Sequence, residues 1–421
     1  MKEVALLITI DGLGDRPSKK RRTPLESASS PNLDFLAREG RCGLVSVAGK
    51  GIAPESDVAL IALLGYDPKK HYTGRGPLEA YGLGIKMKEG DLVLRTNFAT
   101  VDNSGKIIDR RAGRNLTTKE AQKLAQELNK KVKLSHPFLF QYETEHRAML
   151  VIRDEFSSNI SNTDPAYERM GLGGVVSKKV SSRIQKSHPL DSFPKSKKAA
   201  EAVNSFVEQA KEALKESEIN KKRKRERFLP ANAILTRDAG IKLPDFPKET
   251  GKWAAVVGYT LEIGLAKQTG MKIFKIEYPD IKSRDIYKTL YQKLDIEIKT
   301  ALKVLKKEMK KFDHFWIHFK PVDIPGHDGR FKDKKKMIEI LDKKFFKAIV
   351  ALLKKDKKLK VAITADHATP VSKKLHSSDP VPILIYDGLH KDKVKEFSER
   401  SCRKGSIGHI MGKDVIKLIK P

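Results

Sequence analysis

The stretch VALLITIDG, Val4–Gly12, decides the fold. Its first seven residues form an almost entirely apolar run, which predicts a strand buried on both faces in the middle of a parallel sheet. The run ends directly on Asp11, at the strand end where open α/β sheets bind ligands. Taken alone, Asp11 is more typical of a solvated turn. Its role therefore depends on whether other acidic and imidazole groups reach the same edge.

Three later runs resemble this strand: HFWIHF (His314–Phe319), VAIT (Val361–Thr364) and VPILIY (Val381–Tyr386). Between the first two, residues Lys336–Lys355 carry apolar side chains at helical spacing. Alternating strands and helices predict an α/β fold with a doubly wound, mostly parallel sheet covered on both faces.

The middle of the chain has a different pattern. Residues Asp91–Arg114 read as a hairpin, and a helical stretch and a further strand follow them. We therefore predict that residues 86–250 form a smaller α+β domain inserted into a larger one. The larger domain would comprise residues 1–85 and 251–421.

The amino-acid composition limits the classes of protein to which the chain can belong. The chain has 421 residues, 39% of them hydrophobic, which suffices for two domains. Only two cysteines are present, far apart in sequence, which favours a reducing, cytoplasmic compartment over a disulfide framework. No segment resembles a signal peptide or a membrane span.

The formal net charge of +31 has two explanations. Clustered lysines bind nucleic acid by releasing counterions from phosphates. A lysine-rich surface instead attracts any small anion. The lysines are spread along the chain with little aromatic interleaving, which favours the second explanation and a small phosphorylated substrate.

The stretch APESDVALIALLGYDP predicts a helix that starts near Asp57 and stops at Gly65. Ser56 then lies at the helix N-terminus. Serine is a preferred N-cap there, but the helix dipole also favours a phosphate at the same place. A nucleophilic role for Ser56 requires a base or a metal that activates its hydroxyl.

Candidate metal ligands follow the later strands. Asp323 and His327 lie in the loop HFKPVDIPGHDGR, Asp366 and His367 end the next strand, and His409 lies in GSIGHIMG. Carboxylates and imidazoles are the ligands of catalytic Zn²⁺, Mn²⁺ and related ions. Two such ions would clamp a phosphoryl group and lower the pKa of the serine hydroxyl.

Several motifs together resemble a known family, the archaeal-type 2,3-bisphosphoglycerate-independent phosphoglycerate mutases of the alkaline phosphatase-like metalloenzyme superfamily. They are TIDGLGDRP, APESDVALIALLGYDP, TGRGPLEAYGLG, RTNFATVD, DRRAGR, SNTDP, HFKPVDIPGHDG, ADHATP, HSSDPVP and IGHIMG. The resemblance implies an alkaline phosphatase-like domain with an inserted cap domain, and a substrate held between them. Ala365 and Arg330 depart from the family pattern without removing a ligand.

The family's chemistry implies roles for individual residues. Ser56 would accept the phosphoryl group as 3-phosphoglycerate and 2-phosphoglycerate interconvert in glycolysis and gluconeogenesis, without a bisphosphoglycerate cofactor. Two divalent ions are implied, with Mn²⁺ favoured over Mg²⁺, Co²⁺ or Zn²⁺. One would be held by Asp323, His327 and His409, and the other by Asp11, Ser56, Asp366 and His367.

The cap would bind the rest of the substrate. Arginine suits carboxylate and phosphate groups because its planar fork binds them in bidentate fashion. The candidates for substrate binding are Arg110, Arg111, Arg114, Arg147 and Arg237. Asp164 in SNTDP is predicted as the acid/base on the glycerate hydroxyls. His376 in HSSDPVP either orients the site or binds nearby backbone.

Two other functions remain open at this point. The same metal core could hydrolyse phosphate esters or serve another phosphomutase. Alternatively, a basic nucleic-acid-binding protein could carry a structural metal site. No membrane partner is expected, and the sequence is compatible with a homo-oligomer.

Overall fold

The computed structural model describes residues 3–19, 21–169, 174–176, 181–247, 250–280, 282–356 and 358–420. Within these ranges no helix combines the length and the apolar composition needed to cross a bilayer.

The described residues contain fifteen strands. They are β1 (Val4–Ile10), β2 (Arg41–Ser46), β3 (Leu92–Val101), β4 (Ile107–Asp109), β5 (Phe138–Thr144), β6 (Arg147–Ile152), β7 (Tyr167–Arg169), β8 (Gly174–Val176), β9 (Ala233–Gly240), β10 (Trp253–Val257), β11 (Lys272–Lys275), β12 (His314–Phe319), β13 (Leu359–Thr364), β14 (Val381–Tyr386) and β15 (Gly408–Met411).

The same ranges contain fourteen α-helices. They are α1 (Pro24–Ser27), α2 (Pro31–Glu39), α3 (Ser56–Leu63), α4 (Pro68–His71), α5 (Arg75–Gly82), α6 (Thr118–Lys131), α7 (Pro194–Lys215), α8 (Glu218–Arg225), α9 (Thr260–Gln268), α10 (Ile286–Glu308), α11 (Asp323–Asp328), α12 (Phe331–Leu341), α13 (Lys347–Lys355) and α14 (Glu399–Cys402). Two 3₁₀ segments, Ala112–Arg114 and Gly412–Leu418, and one π-helical turn, Asp342–Phe346, complete the elements.

The larger sheet has eight strands in the order β11-β10-β12-β1-β13-β14-β2-β15. Every neighbouring pair is parallel except those of β14, which is antiparallel to both β13 and β2. All seven residues of β1 are buried, as a strand covered on both faces requires. The predicted α/β fold with a mostly parallel sheet is confirmed, while VPILIY forms the predicted strand in the opposite direction.

The helix predicted over Lys336–Lys355 is interrupted. A π-helical turn at Asp342–Phe346 separates α12 from α13. The Asp342 carboxylate accepts hydrogen bonds from the backbone N–H groups of Asn32 (3.1 Å) and Leu33 (2.8 Å), near the start of α2. The turn therefore places an acceptor where a neighbouring helix has unpaired donors.

The inserted region builds a second sheet with its own core. Its strands follow the order β4-β3-β6-β5, and β9 pairs with β3. One face of this sheet packs against α6 and α7 in a cluster that includes Phe98, Phe140 and Phe206. The other face meets α5 through Ala80, Val93 and other apolar residues.

The edges of the inserted region contact the larger domain. Leu243 and Phe246 belong to the hydrophobic core of the larger sheet, whereas the second core reaches as far as Ile241. The boundaries at residues 86 and 250 stay a prediction.

Candidate active site

Three neighbouring strand ends bring the predicted acidic and imidazole groups together. β1 pairs in parallel with β12 on one side and β13 on the other. Asp11 follows β1, Asp323 opens the helix after β12, and Asp366 and His367 follow β13. Because parallel neighbours end at one edge of the sheet, these side chains converge at the centre of that edge.

Gly12 allows the ligand-bearing segments to approach closely. Its φ of +62° lies in the left-handed region, and a Cβ there would overlap the Asp323 carboxylate and lie 2.8 Å from Thr369 Oγ1. Its N–H donates to Asp366 Oδ1 at 3.1 Å. Glycine is needed after Asp11 because any side chain would push these segments apart.

Ser56 is the first residue of α3 and belongs to the cluster around His367. The Nε2 atom of His367 lies 3.3 Å from Ser56 Oγ, 3.2 Å from Asp11 Oδ1 and 3.3 Å from Asp366 Oδ2. Asp11, Asp366 and His367 offer atoms close enough to hold one metal ion. Burial acts to lower the pKa of His367, but the nearby carboxylates of Asp366 and Asp11 raise it to about 9.

A second cluster surrounds Asp323. His327 lies one helical turn further on, with its Nε2 3.2 Å from Asp323 Oδ2, and His376 Nε2 lies 3.9 Å from Asp323 Oδ1. The Nδ1 atoms of the two histidines are bonded to the carbonyl oxygens of Lys374 (3.0 Å) and Pro54 (2.9 Å). Since a carbonyl only accepts, each Nδ1 carries the proton. Burial acts to lower the pKa of His327, but Asp323 raises it. Once Nε2 has lost its proton, each ring can present a lone pair beside Asp323, as in metal-binding histidines.

The position of His376 corrects one predicted ligand. His409 lies on β15 at the edge of the larger sheet, where its side chain is exposed and its Nε2 is bonded to Ser46 Oγ at 2.8 Å. His376 instead stacks on His367, with ring centroids 3.6 Å apart. Burial and the charge of His367 lower the pKa of His376 to about 4, which keeps it neutral. His376, and not His409, completes the cluster around Asp323.

Buried carboxylate oxygens without hydrogen-bond partners indicate whether these residues can hold metal ions. Both carboxylate oxygens of Asp11 and of Glu262, and Oδ2 of Asp366, are buried without a hydrogen-bond partner. Lys320 and the imidazoles of His318 and His367 lie near these carboxylates and offset part of their charge, but the oxygens keep lone pairs that a cation can accept. A cluster of carboxylate, imidazole and hydroxyl ligands suits divalent ions such as Mn²⁺, Mg²⁺ or Zn²⁺. The donors therefore suit divalent metal ions, and the second group of mutually close ligand atoms comprises Asp323, His376 and the shared His367, with His327 beside Asp323.

A cavity lies between these clusters and the inserted region, and Ser56 faces it. Cationic side chains dominate its wall: Arg75, Arg95, Arg111, Arg114, Arg147, Arg237 and Lys320. The acidic residues there are fewer: Glu55, Glu145 and Asp323. Such a wall suits a small ligand with several negative charges.

Of the five arginines predicted to bind substrate, Arg111, Arg114, Arg147 and Arg237 line this cavity, whereas Arg110 does not. Arg111 and Arg114 flank a strained turn, in which Ala112 and Arg114 have φ angles of +46° and +52°. Arg114 is bonded through its guanidinium to Asp328 at 2.7 Å, a link from the inserted region to α11. Strained backbone persists where the surrounding structure holds it, and it is concentrated at functional sites.

Arg147 and Arg237 keep donors free for a ligand. The guanidinium of Arg237 stacks 3.8 Å over the Tyr167 ring and lies 3.9 Å from Glu55. Its Nε and NH1 atoms, and Nε of Arg147, are buried without a hydrogen-bond partner. Buried donors of this kind are expensive unless a ligand accepts from them.

Asp164 does not reach the cavity in this conformation. It is fully buried, at 0% exposure, and accepts from Arg110 Nε at 2.9 Å and NH2 at 2.5 Å. The bidentate pair occupies both carboxylate oxygens. The predicted acid/base role would require Arg110 to release Asp164, and it stays a prediction.

Several residues of the site were not predicted from the sequence. Arg75 and Arg95 lie inside the quoted motifs TGRGPLEAYGLG and RTNFATVD, and both pair with the buried Glu79, at 2.7 and 3.5 Å. Burial opposes ionisation of Glu79, but the two arginines hold its pKa at about 2. The one indication of their role in the sequence is that both are charged residues with apolar residues close by in the chain. Lys320, which follows β12 directly, was also not predicted as a residue of the site.

The comparisons with known proteins agree with this geometry. Residues 37–220 match the family model described as 2,3-bisphosphoglycerate-independent phosphoglycerate mutase. A protein of that name from Aeropyrum pernix is 39% identical over 420 residues, which cover 97% of this chain and 96% of the relative.

Two solved structures resemble the whole chain. A protein from Pyrococcus horikoshii superposes with a TM-score of 0.74 at 30% identity, covering 100% of this chain and 97% of that one. The cofactor-independent phosphoglycerate mutase of Thermoplasma acidophilum gives a TM-score of 0.56 at 31% identity, with 99% and 98% covered.

Proposed function

Because the chain belongs to the family of 2,3-bisphosphoglycerate-independent phosphoglycerate mutases, we propose that it converts 3-phosphoglycerate to 2-phosphoglycerate and back through a phosphoserine at Ser56. One observation carries this proposal: Ser56 Oγ lies 3.3 Å from His367 Nε2 and 3.4 Å from Lys320 Nζ, and faces the cationic cavity. A hydroxyl in that position is surrounded by groups that stabilise an anionic nucleophile.

The two clusters would hold two divalent ions, with Mn²⁺ as the favoured metal. One set of ligands is Asp11, Ser56, Asp366 and His367, and the other is Asp323, His327 and His376. When bound, these ions lower the pKa of the serine hydroxyl and neutralise charge on the phosphoryl oxygens.

In the first half of the reaction, the Ser56 hydroxyl loses its proton and its oxygen bonds to phosphorus as the bond from phosphorus to the glycerate 3-oxygen breaks. That oxygen leaves as an alkoxide and takes up a proton. The Lys320 ammonium lies beside Ser56 and stabilises the charge that the transferred group carries. In the second half, the glycerate 2-hydroxyl loses a proton and its oxygen bonds to phosphorus as the bond from phosphorus to Ser56 Oγ breaks. The Ser56 oxygen then takes up a proton, which restores the serine.

The arginines keep glycerate in place between the two halves. Arg237 and Arg147 have donors that a carboxylate can accept from, and Arg111 and Arg114 face the same cavity. Glycerate then reorients without leaving. Holding a reactant beside the phosphoserine makes the second transfer effectively unimolecular.

Proton transfer between the two hydroxyls needs a group that changes its charge easily. Asp164 remains a candidate if Arg110 releases it. His146 lines the cavity and has a buried Nδ1 without a partner. Burial and the charges of Arg147 and Arg114 lower the pKa of His146, which keeps its ring neutral and makes it a weak base.

Water exclusion distinguishes a mutase from a phosphatase, because water would hydrolyse the phosphoserine. We propose that residues 86–250 act as a cap over an alkaline phosphatase-like domain. Three pairs support closure between the regions: Arg114 with Asp328 (2.7 Å), Arg284 with Glu120 (2.9 Å) and Lys293 with Glu145 (2.6 Å). A closed cap keeps solvent from the reacting atoms.

Ser56→Ala tests the proposal, with Ser46→Ala as a matched control at the edge of the sheet. Mn²⁺-loaded protein is mixed with 3-phosphoglycerate and quenched in acid; 2-phosphoglycerate, free phosphate and the intact protein mass are measured. The parent and the control should form 2-phosphoglycerate and gain one phosphoryl mass, and Ser56→Ala should do neither. Activity retained by Ser56→Ala contradicts the proposal, and release of phosphate alone would identify a phosphatase.

A further inference from the structure

A fully buried lysine lies behind the metal-ligand clusters. Lys334 on α12 has 0% exposure. Its ammonium donates to the carbonyl oxygens of Gly14 (3.0 Å) and Thr369 (2.9 Å) and lies 3.3 Å from Asp15 Oδ2. Lysine is almost never fully buried unless its charge is paired, so this arrangement calls for an explanation.

The three acceptors belong to the segments that carry the ligands. Gly14 and Asp15 follow Asp11, and Thr369 follows the pair Asp366–His367. The Gly14 carbonyl also accepts from the Thr369 N–H at 3.0 Å, so the ammonium binds at the junction of the two loops. Lys334 itself lies on the helix that follows α11, which bears Asp323 and His327.

Thr369 links the backbone bonded to Lys334 with two of the candidate metal ligands, Asp323 and His367. Its hydroxyl donates to Asp323 Oδ1 at 2.6 Å, and its Oγ1 lies 3.1 Å from His367 Nδ1. A ligating histidine needs a partner on its second ring nitrogen to fix the ring. The backbone that positions Thr369 is the backbone bonded to Lys334.

Asp15 is held in turn by its own partners. Its Oδ2 accepts from the Val371 N–H at 3.0 Å, and its N–H donates to Glu399 Oε1 at 2.9 Å. Glu399 Oε2 accepts from Thr23 at 2.8 Å. The ammonium therefore has a complete set of acceptors in a rigid surrounding, which such a buried charge needs.

We propose that Lys334 is a positioning residue for metal binding, which ties the loop after β1 and the loop after β13 to the helix following α11. The inference rests on the proposed function, because it assumes that these loops hold metal ions. Removal of the ammonium leaves two carbonyls and a carboxylate facing one another. The loops then separate, and the ligands no longer converge.

The test measures metal affinity directly. Lys334→Met keeps the side-chain length and removes the charge, and Asp15→Asn keeps the shape of the partner. Arg223→Met is the matched control, since Arg223 is another cation at 0% exposure and pairs with Glu120 in the inserted region. Mn²⁺ binding to chelator-treated protein is followed by calorimetry, and thermal midpoints are recorded in parallel.

We expect Lys334→Met to weaken Mn²⁺ binding at least tenfold and Asp15→Asn about threefold or more. At saturating Mn²⁺ the KM for 3-phosphoglycerate should stay within twofold of the parent. Arg223→Met should lower the thermal midpoint and leave Mn²⁺ affinity unchanged.

Equal Mn²⁺ affinity in the parent and in both network variants would overturn the inference. If Lys334→Met does not fold, the Mn²⁺ affinity of Asp15→Asn alone is compared with that of the parent, and equal affinities overturn the inference. A parent protein that binds no Mn²⁺ would instead contradict the metal site of the proposed function, and the inference would fail with it. Binding by the parent together with unchanged variants rejects only the role of Lys334.

Discussion

The side chains of Ser56 and Lys320 meet at the edge of the larger sheet, with Lys320 Nζ 3.4 Å from Ser56 Oγ. The same ammonium contacts the Asp11 carboxylate and lies 3.3 Å from Glu262 Oε1. Burial acts to lower the pKa of Lys320, but Asp11 and Glu262 raise it well above its usual range. Lys320 is therefore a permanent cation placed between the nucleophile and two buried carboxylates.

Lys320→Met should reduce kcat by about 10²–10³, the cost of removing one preorganised donor from a developing anion, ~2.7–4 kcal/mol. Mn²⁺ affinity should not fall, because the variant removes a cation that touches a metal ligand. Steady-state kinetics and calorimetry measure the two effects separately. Lys320→Arg keeps the charge and should lose less activity. An unchanged kcat in Lys320→Met would refute this role.

His376→Ala should lower the number of bound Mn²⁺ ions from two to one per chain, because it removes an Nε2 ligand beside Asp323. His409→Ala is the matched control, and it should retain both ions since His409 is exposed at the sheet edge. Metal content after gel filtration measures the ratio. Loss of metal in His409→Ala, with His376→Ala unchanged, would restore the ligand set expected from the sequence.

Four of the eight strands of the larger sheet could be predicted because they are buried apolar runs, namely β1, β12, β13 and β14, whereas β2, β10, β11 and β15 were not predicted. Val4–Ile10 and His314–Phe319 have no competing helical pattern, and the polar residue after each run marks the strand end. Strand direction was not predictable. β14 is as apolar as the parallel strands of the sheet, and nothing in its own residues indicates that it runs antiparallel to β13 and β2.

Some of the candidate metal ligands could likewise be predicted from the sequence, and others could not. Asp11, Asp366 and His367 follow strands directly, so sheet geometry alone brings them together. His376 lies in a loop and His409 lies on β15, and neither position follows a strand end that the sequence had marked, so only the folded chain distinguishes them. Lys334 had no visible role in the sequence, because it is one lysine in the run KDKKK on an amphipathic helix.

Arg237→Met should lower kcat/KM for 3-phosphoglycerate by about 10²–10³, because it removes charge-assisted hydrogen bonds of about 1.5–3 kcal/mol each. The guanidinium is fixed over Tyr167 and has donors without partners. Arg153→Met is the control: Arg153 pairs with Asp91 at 2.5 Å in the same inserted region and does not line the cavity. Equal effects of the two substitutions would rule out a specific contact with substrate.

Glu145→Gln should destabilise the protein at neutral pH by on the order of 2 kcal/mol, in a way that depends on pH. The Glu145 carboxylate is bonded to Lys293 on α10 at 2.6 Å. Burial acts to raise the pKa of Glu145, but Lys293 and Arg147 hold it at about 2. The unfolded chain has a pKa of about 4.3 at this position.

A carboxyl whose pKa is lowered by folding stabilises the protein fully above the pKa of the unfolded chain, and this contribution is lost as the pH falls toward the folded pKa. The difference between the parent and Glu145→Gln in urea unfolding should therefore be constant from pH 7 to about 5 and shrink between about pH 4.3 and 2. Glu155→Gln is the control, since Glu155 pairs with Lys195 at the exposed surface, where an ion pair contributes little to stability. A difference that is independent of pH over this range would show that Glu145 contributes through packing and not through its charge.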